Sequence, residues 1–202
     1  MKRIVLSMIC LVSIHFIFAQ GAQKLEIGSD IPMASEKLKS VDGKSYSIKD
    51  AASTNGTIVM FSCNTCPYVV KYQTRTKKLI AAAKEKGFGI IIFNSNEAYR
   101  DGEDSYEAMI KYAASQGYKD VPYVVDVNSA VADAFSANRT PECFVFSAEG
   151  KLVYHGAIDS EPNNADTKET ILINALSEIA AGKEVSVKES RSIGCSIKRK
   201  DS

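Results

Sequence analysis

Two hydrophobic patterns alternate along the chain. Short unbroken apolar runs are followed by stretches in which apolar residues return every three or four positions, as expected of buried strands joined by amphipathic helices. Thr57-Ile58-Val59-Met60-Phe61 has the length and β-branched content of a buried central strand. Beyond Pro67, the spacing of Val69, Tyr72, Thr76, Leu79 and Ala83 predicts a helix, and Gly87 stands where it would end. Gly89-Ile90-Ile91-Ile92-Phe93 predicts a second buried strand. Asp104 and Glu107 are expected to open a helix carrying Tyr106, Met109, Ile110 and Ala113 on one face.

Tyr123-Val124-Val125 predicts another strand, and Asn128 is expected to cap a short helix running towards Asn138. Cys143-Phe144-Val145-Phe146 and Leu152-Val153-Tyr154, joined through Glu149-Gly150-Lys151, predict an antiparallel hairpin and therefore a mixed sheet. A last helix is expected to start near Asp166, with Glu169 completing its cap, and to bury Ile171, Leu172, Ala175, Leu176 and Ile179 before Gly182. Ahead of the first long strand, Val41-Asp42-Gly43-Lys44 reads as the turn of a small N-terminal hairpin. No internal repeat is visible.

The extreme N-terminus follows a different rule. Lys2-Arg3, an apolar stretch from Ile4 to Phe18, and Ala19-Gln20-Gly21 match the charged, apolar and small-residue parts of a secretory signal, with cleavage expected after Ala19. The stretch is shorter than the roughly 20 apolar residues of a spanning helix and is interrupted by Ser13 and His15. Cys10 lies inside the apolar part, and Ser7-Met8-Ile9 before it lacks the small residues usual ahead of a lipidated cysteine. The expected organisation is a signal peptide over 1–19, one α/β domain over 20–182, and a C-terminal tail over 183–202. The expected location is exported, periplasmic or otherwise extracytoplasmic. With 25 basic and 24 acidic residues spread along the chain, net charge gives no reason to expect nucleic acid as a partner.

Removal of the signal leaves Cys63, Cys66, Cys143 and Cys195 in a compartment that permits disulfides. Four cysteines allow three complete pairings, and their spacing decides none. Cys63-Asn64-Thr65-Cys66 lies between the first long strand and the helix opened by Pro67. There, free backbone N–H groups and the helix dipole are expected to stabilise a thiolate on Cys63, the attacking species. One turn brings Cys66 within reach to resolve the mixed disulfide that Cys63 forms. A structural zinc site would need a second cysteine pair to complete the usual signature, so no metal is assigned; a purely structural disulfide is the other alternative. Two sulfurs carry the electrons, and no organic cofactor is implied.

Three stretches carry a family resemblance: Phe61-Ser62-Cys63-Asn64-Thr65-Cys66-Pro67-Tyr68-Val69, Thr140-Pro141, and Ser192-Ile193-Gly194-Cys195-Ser196-Ile197-Lys198. Together with Ile31-Pro32 and Val41-Asp42-Gly43-Lys44, they make the chain resemble the thioredoxin-like redoxins, in particular their peroxiredoxin-like branch. The resemblance implies a thioredoxin-like α/β fold, with a central mixed sheet flanked by helices, an N-terminal hairpin and a C-terminal tail. It also implies a cis Thr140-Pro141 bond beside Cys63, presenting backbone groups to a substrate strand. The expected activity is reversible dithiol-disulfide exchange with protein or low-molecular-weight thiols, and the exported location suggests a membrane or periplasmic electron donor if the protein acts as a reductant. A thiol peroxidase and a non-catalytic thioredoxin-fold binding protein are the alternatives.

The departures from the family pattern are informative. Peroxiredoxins carry Thr or Ser three residues before the peroxide-reducing cysteine, whereas here that position holds Cys63 before Cys66 and Met60 before Cys63. Thioredoxins have a Trp just before the pair and a carboxylate in the preceding strand, whereas here Phe61-Ser62 precedes it and 57–61 contains no acid. Glu142, next to Pro141, is a candidate proton-transfer group if it faces the cysteines and otherwise a solvated edge carboxylate. Cys143 is either a buried inert thiol or a neighbour of the pair. Cys195, in a polar tail, has no evident packing role and is expected either to reach the Cys63-Cys66 site or to bond to Cys143. His155 is assigned a surface or hydrogen-bonding role.

Overall fold

A computed structural model describes residues 24–161 and 170–200. The expected signal segment 1–19, and Asp166 and Glu169 at the start of the last helix, lie outside the described residues. In chain order the elements are β1 (Leu38–Lys39), β2 (Ser45–Tyr46), β3 (Thr57–Ser62), α1 (Pro67–Glu85), β4 (Gly89–Asn94), α2 (Tyr106–Gln116), β5 (Tyr123–Val125), α3 (Ala130–Ala134), β6 (Arg139–Thr140), β7 (Glu142–Phe146), β8 (Leu152–Gly156), α4 (Ile171–Ala180) and β9 (Cys195–Ser196).

Five of the strands form one sheet in the order β5-β4-β3-β7-β8. Its β3–β4 and β4–β5 pairs are parallel, and β3–β7 and β7–β8 antiparallel. The sheet is therefore mixed, and β3 sits at its centre with every residue buried. Alternation along β3 sorts its side chains between two cores. Ile58 and Met60 join Ile92, Cys143 and Val145 beneath Tyr72 and Leu79 of α1, Met109 of α2 and Leu172 and Leu176 of α4. Val59 and Phe61 face the other way, towards Ile91, Phe93, Phe144 and Phe146, under Val131 and Phe135 of the α3 segment. Phe61 has the rings of Phe93, Phe135 and Phe144 at 5.7, 5.4 and 5.8 Å. Burial of a phenylalanine of this kind contributes about 1.5–3 kcal/mol before ring geometry is counted.

β1 and β2 form the expected hairpin, pairing Leu38 with Tyr46 and Lys39 with Ser45, with Gly43 at φ +83° in the turn. Two helix starts differ from expectation. Ser105 caps α2, its hydroxyl accepting the Ala108 N–H at 3.3 Å, and Asp104 turns inward with no solvent exposure. Asn128 sits at φ +55° in a 3-10 turn, and the Asp126 carboxylate takes the cap of α3 by accepting the Val131 and Ala132 N–H groups at 2.8 and 2.9 Å. A carboxylate reaches two orphan N–H groups at once, which an amide oxygen does less well. Among the described residues, no helix is long and apolar enough to cross a membrane.

Candidate active site

β3 ends at Ser62, and the next residue is Cys63, with no exposed surface. Three positions later Cys66 is the N-cap residue of α1, and Pro67 occupies the first helical position, where its missing N–H costs nothing. The helix start thus belongs to Cys66, not to Cys63 as expected. The electrostatics of Cys63 follow from this. Burial pushes its thiol above the ordinary range, the Thr140 hydroxyl 3.6 Å away pulls it down, the charge of Asp104 pushes it up, and the Cys66 and Thr65 N–H groups pull it down. Burial dominates, so the net effect on the Cys63 thiol is upward.

The second wall of the site comes from the start of β7. Thr140-Pro141 is a cis peptide bond, and Thr140 touches both sulfurs. Its Oγ1 lies beside Cys63 Sγ, and its carbonyl oxygen lies 3.3 Å from Cys66 Sγ. Val69, Tyr68 and Tyr112 close the apolar side around the two cysteines. The Tyr112 hydroxyl is buried, and burial pushes it above its ordinary value.

The third wall is the tail. β9 pairs antiparallel with β6, setting Cys195 opposite Thr140 and Ser196 opposite Arg139. That register brings the Cys66 and Cys195 Cα atoms to 6.1 Å, within disulfide reach, and the two are bonded. Of the two expected placements of Cys195, the one that reaches the cysteine pair is the one found, and Cys63 is a free thiol. Gly194 is required here, because a Cβ at that position would overlap the Thr140 carbonyl.

Cys143 and Glu142 are drawn elsewhere. Cys143, opposite Met60, belongs to the helix-side core, and complete burial raises its thiol far above the ordinary value. Glu142 is buried rather than solvated, and its carboxylate is engaged away from the sulfurs. Oε2 accepts the Asn138 and Arg139 N–H groups at 2.8 and 2.9 Å, and Oε1 pairs with His155 Nε2 at 2.7 Å. His155 in turn stacks on Phe144 at 4.1 Å. Among the described residues, no three His, Cys, Asp or Glu side chains are grouped as a metal site requires.

A buried polar network behind Cys63 was not anticipated from the sequence. Asp104 Oδ1 accepts the Asn64 backbone N–H at 2.8 Å and the Asn94 amide at 2.7 Å, and its Oδ2 accepts the Asn96 amide at 3.0 Å. The Tyr123 hydroxyl donates to Asn64 Oδ1 at 2.8 Å and accepts from Asn94 at 3.0 Å. Asn96 Oδ1 accepts the Lys198 N–H at 2.9 Å, which ties the same network to the tail. Its signal in the sequence is the polar run Asn94-Ser95-Asn96 directly after an all-apolar strand, at the carboxyl end of a parallel pair, where α/β sheets gather functional groups.

The family model described as Redoxin matches residues 26–172. A crystal structure of an uncharacterized conserved protein from Geobacillus kaustophilus is 37% identical, with 88% of this chain and 94% of that one covered at a TM-score of 0.79. A hypothetical protein from Sinorhizobium meliloti 1021 is 28% identical over 89% of this chain and 98% of its own, also at 0.79. The C-terminal domain of a proposed thiol-disulfide oxidoreductase from Bacteroides thetaiotaomicron shares the fold at a TM-score of 0.58, with 17% identity over 78% of this chain and 97% of that one. No curated protein matches the chain.

Proposed function

The chain belongs to the redoxin family, and within it we propose a thiol-disulfide oxidoreductase working through Cys63 and Cys66. The observation that carries this reading is the Cys66–Cys195 disulfide lying beside the free Cys63 thiol, with Thr140 in contact with both Cys63 and Cys66. The tail also illustrates a substrate. An extended segment bearing a cysteine pairs with Arg139-Thr140 and forms a disulfide there, which is the geometry a protein disulfide needs in order to dock.

In the reducing direction Cys63 gives up its proton and its sulfur attacks one sulfur of the substrate disulfide. The substrate S–S bond breaks, a mixed disulfide forms, and one substrate thiolate leaves. Cys66 then attacks Cys63 Sγ, the Cys63–Cys66 bond forms, and the second substrate thiol departs. The substrate gains two electrons and the cysteine pair loses two. The reverse sequence oxidises a dithiol. Substrates are proteins or small thiols. The signal-like N-terminus supports an exported location, with a membrane or periplasmic donor returning the electrons.

A second reading has one observation in its favour. Cys66 caps a helix and is bonded to a cysteine 129 residues away, the arrangement of a peroxide-reducing cysteine with a distant resolving partner. Dithiol-driven reduction of a protein disulfide by the full chain separates the two. The exchange reading expects Cys63→Ser and Cys66→Ser each to reduce turnover to background. Hydroperoxide consumption that survives Cys63→Ser and vanishes with Cys66→Ser or Cys195→Ser would replace it with the peroxidase reading.

A further inference from the structure

We propose that Cys195 is a third exchange cysteine, which takes the disulfide from the active pair and returns it by intramolecular exchange. The inference deepens the oxidoreductase reading and rests on it.

The segment bearing Cys195 is a strap held at both ends. Upstream, the Ser190 hydroxyl accepts the Ala157 N–H at 2.9 Å and shares a hydrogen bond with Tyr154 at 2.7 Å, while the Ser190 N–H donates to the His155 carbonyl at 3.0 Å. Downstream, Ile197 is buried and its N–H donates to the Asn138 carbonyl at 3.1 Å. Lys198 donates to Asn96 and accepts from the Ala98 N–H at 2.9 Å, and Arg199 binds Asp133 at 2.7 Å and the Ala137 carbonyl at 2.8 Å. Between these anchors the strap is less well satisfied. Cys195-Ser196 contributes only a two-residue pairing, and the Ser192 hydroxyl is buried without a partner.

A strap tethered on both sides keeps Cys195 at high effective concentration over Cys66 whether or not the two are bonded. That distinguishes it from a loose terminal thiol, which would be lost once reduced. Cys63 is placed to exchange with it, since Cys66 is in contact with the same threonine as Cys63 and the Cys66 N–H faces the Cys63 sulfur.

The step balances without any outside reagent. Deprotonated Cys63 attacks Cys66 Sγ, the Cys66–Cys195 bond breaks, the Cys63–Cys66 bond forms, and Cys195 leaves as a thiolate that takes the proton Cys63 gave up. The number of disulfides is unchanged. In one isomer Cys195 is bonded to Cys66 across the β6 edge; in the other it is a free thiol that the strap holds beside the Cys63–Cys66 disulfide.

The test is a disulfide map of the oxidised full chain, acid-quenched, alkylated and read by mass spectrometry, for the unmodified protein and for Cys63→Ser, Cys195→Ser and Gly194→Ala. The unmodified protein is expected to hold both Cys66–Cys195 and Cys63–Cys66, and Cys63→Ser only the former. Gly194→Ala keeps every cysteine but crowds the Thr140 carbonyl, and is expected to raise the ratio of Cys63–Cys66 to Cys66–Cys195 by about tenfold or more. Cys195→Ser is expected to make the equilibrium with glutathione about tenfold less reducing, a rise of roughly 30 mV for two electrons. This readout stands even if Gly194→Ala fails to fold. A map showing Cys66–Cys195 alone, with the Cys195→Ser protein exchanging at the unmodified rate and potential, overturns the relay and leaves the oxidoreductase reading standing. If neither the unmodified protein nor Cys195→Ser exchanges with any dithiol, both fall.

Discussion

At the scale of single residues, the balance around Cys63 decides how the site responds to pH. Its folded thiol titrates above the ordinary cysteine value because burial outweighs the Thr140 hydroxyl and the two N–H groups. The stabilisation this gives the fold is fully present below the unfolded thiol's value and is lost as pH rises through the folded one. Thiolate supply follows the same curve. The rate of disulfide exchange is therefore expected to climb with pH and to level off only above the ordinary thiol range. The groups facing Cys63 are Asp104, Thr140, Tyr112 and Tyr123, and Asp104 is the one whose charge opposes ionisation. Asp104→Asn is expected to move the rate profile to lower pH. A stopped-flow series against a small aromatic disulfide checks both points, and a plateau already reached at neutral pH would contradict the burial argument.

At the scale of elements, α1 is held at its N-terminal end by the cysteine loop and in its middle by a buried ion pair. Arg75 and Asp159 meet at 2.9 Å with side chains 4% and 0% exposed; Asp159 also accepts the Tyr72 hydroxyl at 3.3 Å, and Arg75 lies over the Tyr72 ring. Removing one partner leaves a buried charge uncompensated. Asp159→Ala is expected to cost about 3–5 kcal/mol in urea unfolding, with much of that recovered when Arg75→Met is added. A loss below about 1 kcal/mol would mean that the pair is hydrated in solution and does not anchor the helix.

The same scale shows why sequence patterns reached some features and missed others. Thr57 to Phe61 and Gly89 to Phe93 were legible because a strand buried on both faces has no polar positions to blur it, and the cysteine spacing located the strand-to-helix junction. Asp104 looked like a helix cap because Ser105, one residue on, offers the same chemistry, and only the fold shows that Asn64, Asn94 and Asn96 converge on Asp104. Glu142 was ambiguous for the same reason: its partners at Asn138, Arg139 and His155 are assembled by a turn and a neighbouring strand.

At the scale of the whole molecule, the site is built from three distant parts of the chain. The cysteine loop after β3, the cis-proline turn before β7 and the tail strand β9 meet at Thr140, and Asn96 links the tail to the network behind Cys63. Short-range patterns carry no information about such a meeting, and for this reason three pairings of Cys63, Cys66, Cys143 and Cys195 remained open until the β6–β9 register was known. The tail strand is thereby a structural part of the cysteine site, paired with β6 and bonded to Cys66.

The claim that the cysteine site is a reversible redox couple is tested most directly by equilibrating the full chain in glutathione buffers and measuring its reduction potential, with Cys66→Ser alongside. The account expects a reversible two-electron couple within the range of known exchange proteins, roughly −120 to −270 mV, and its complete loss in Cys66→Ser. A disulfide that glutathione cannot reduce at any attainable ratio, or a couple unaffected by Cys66→Ser, would contradict it.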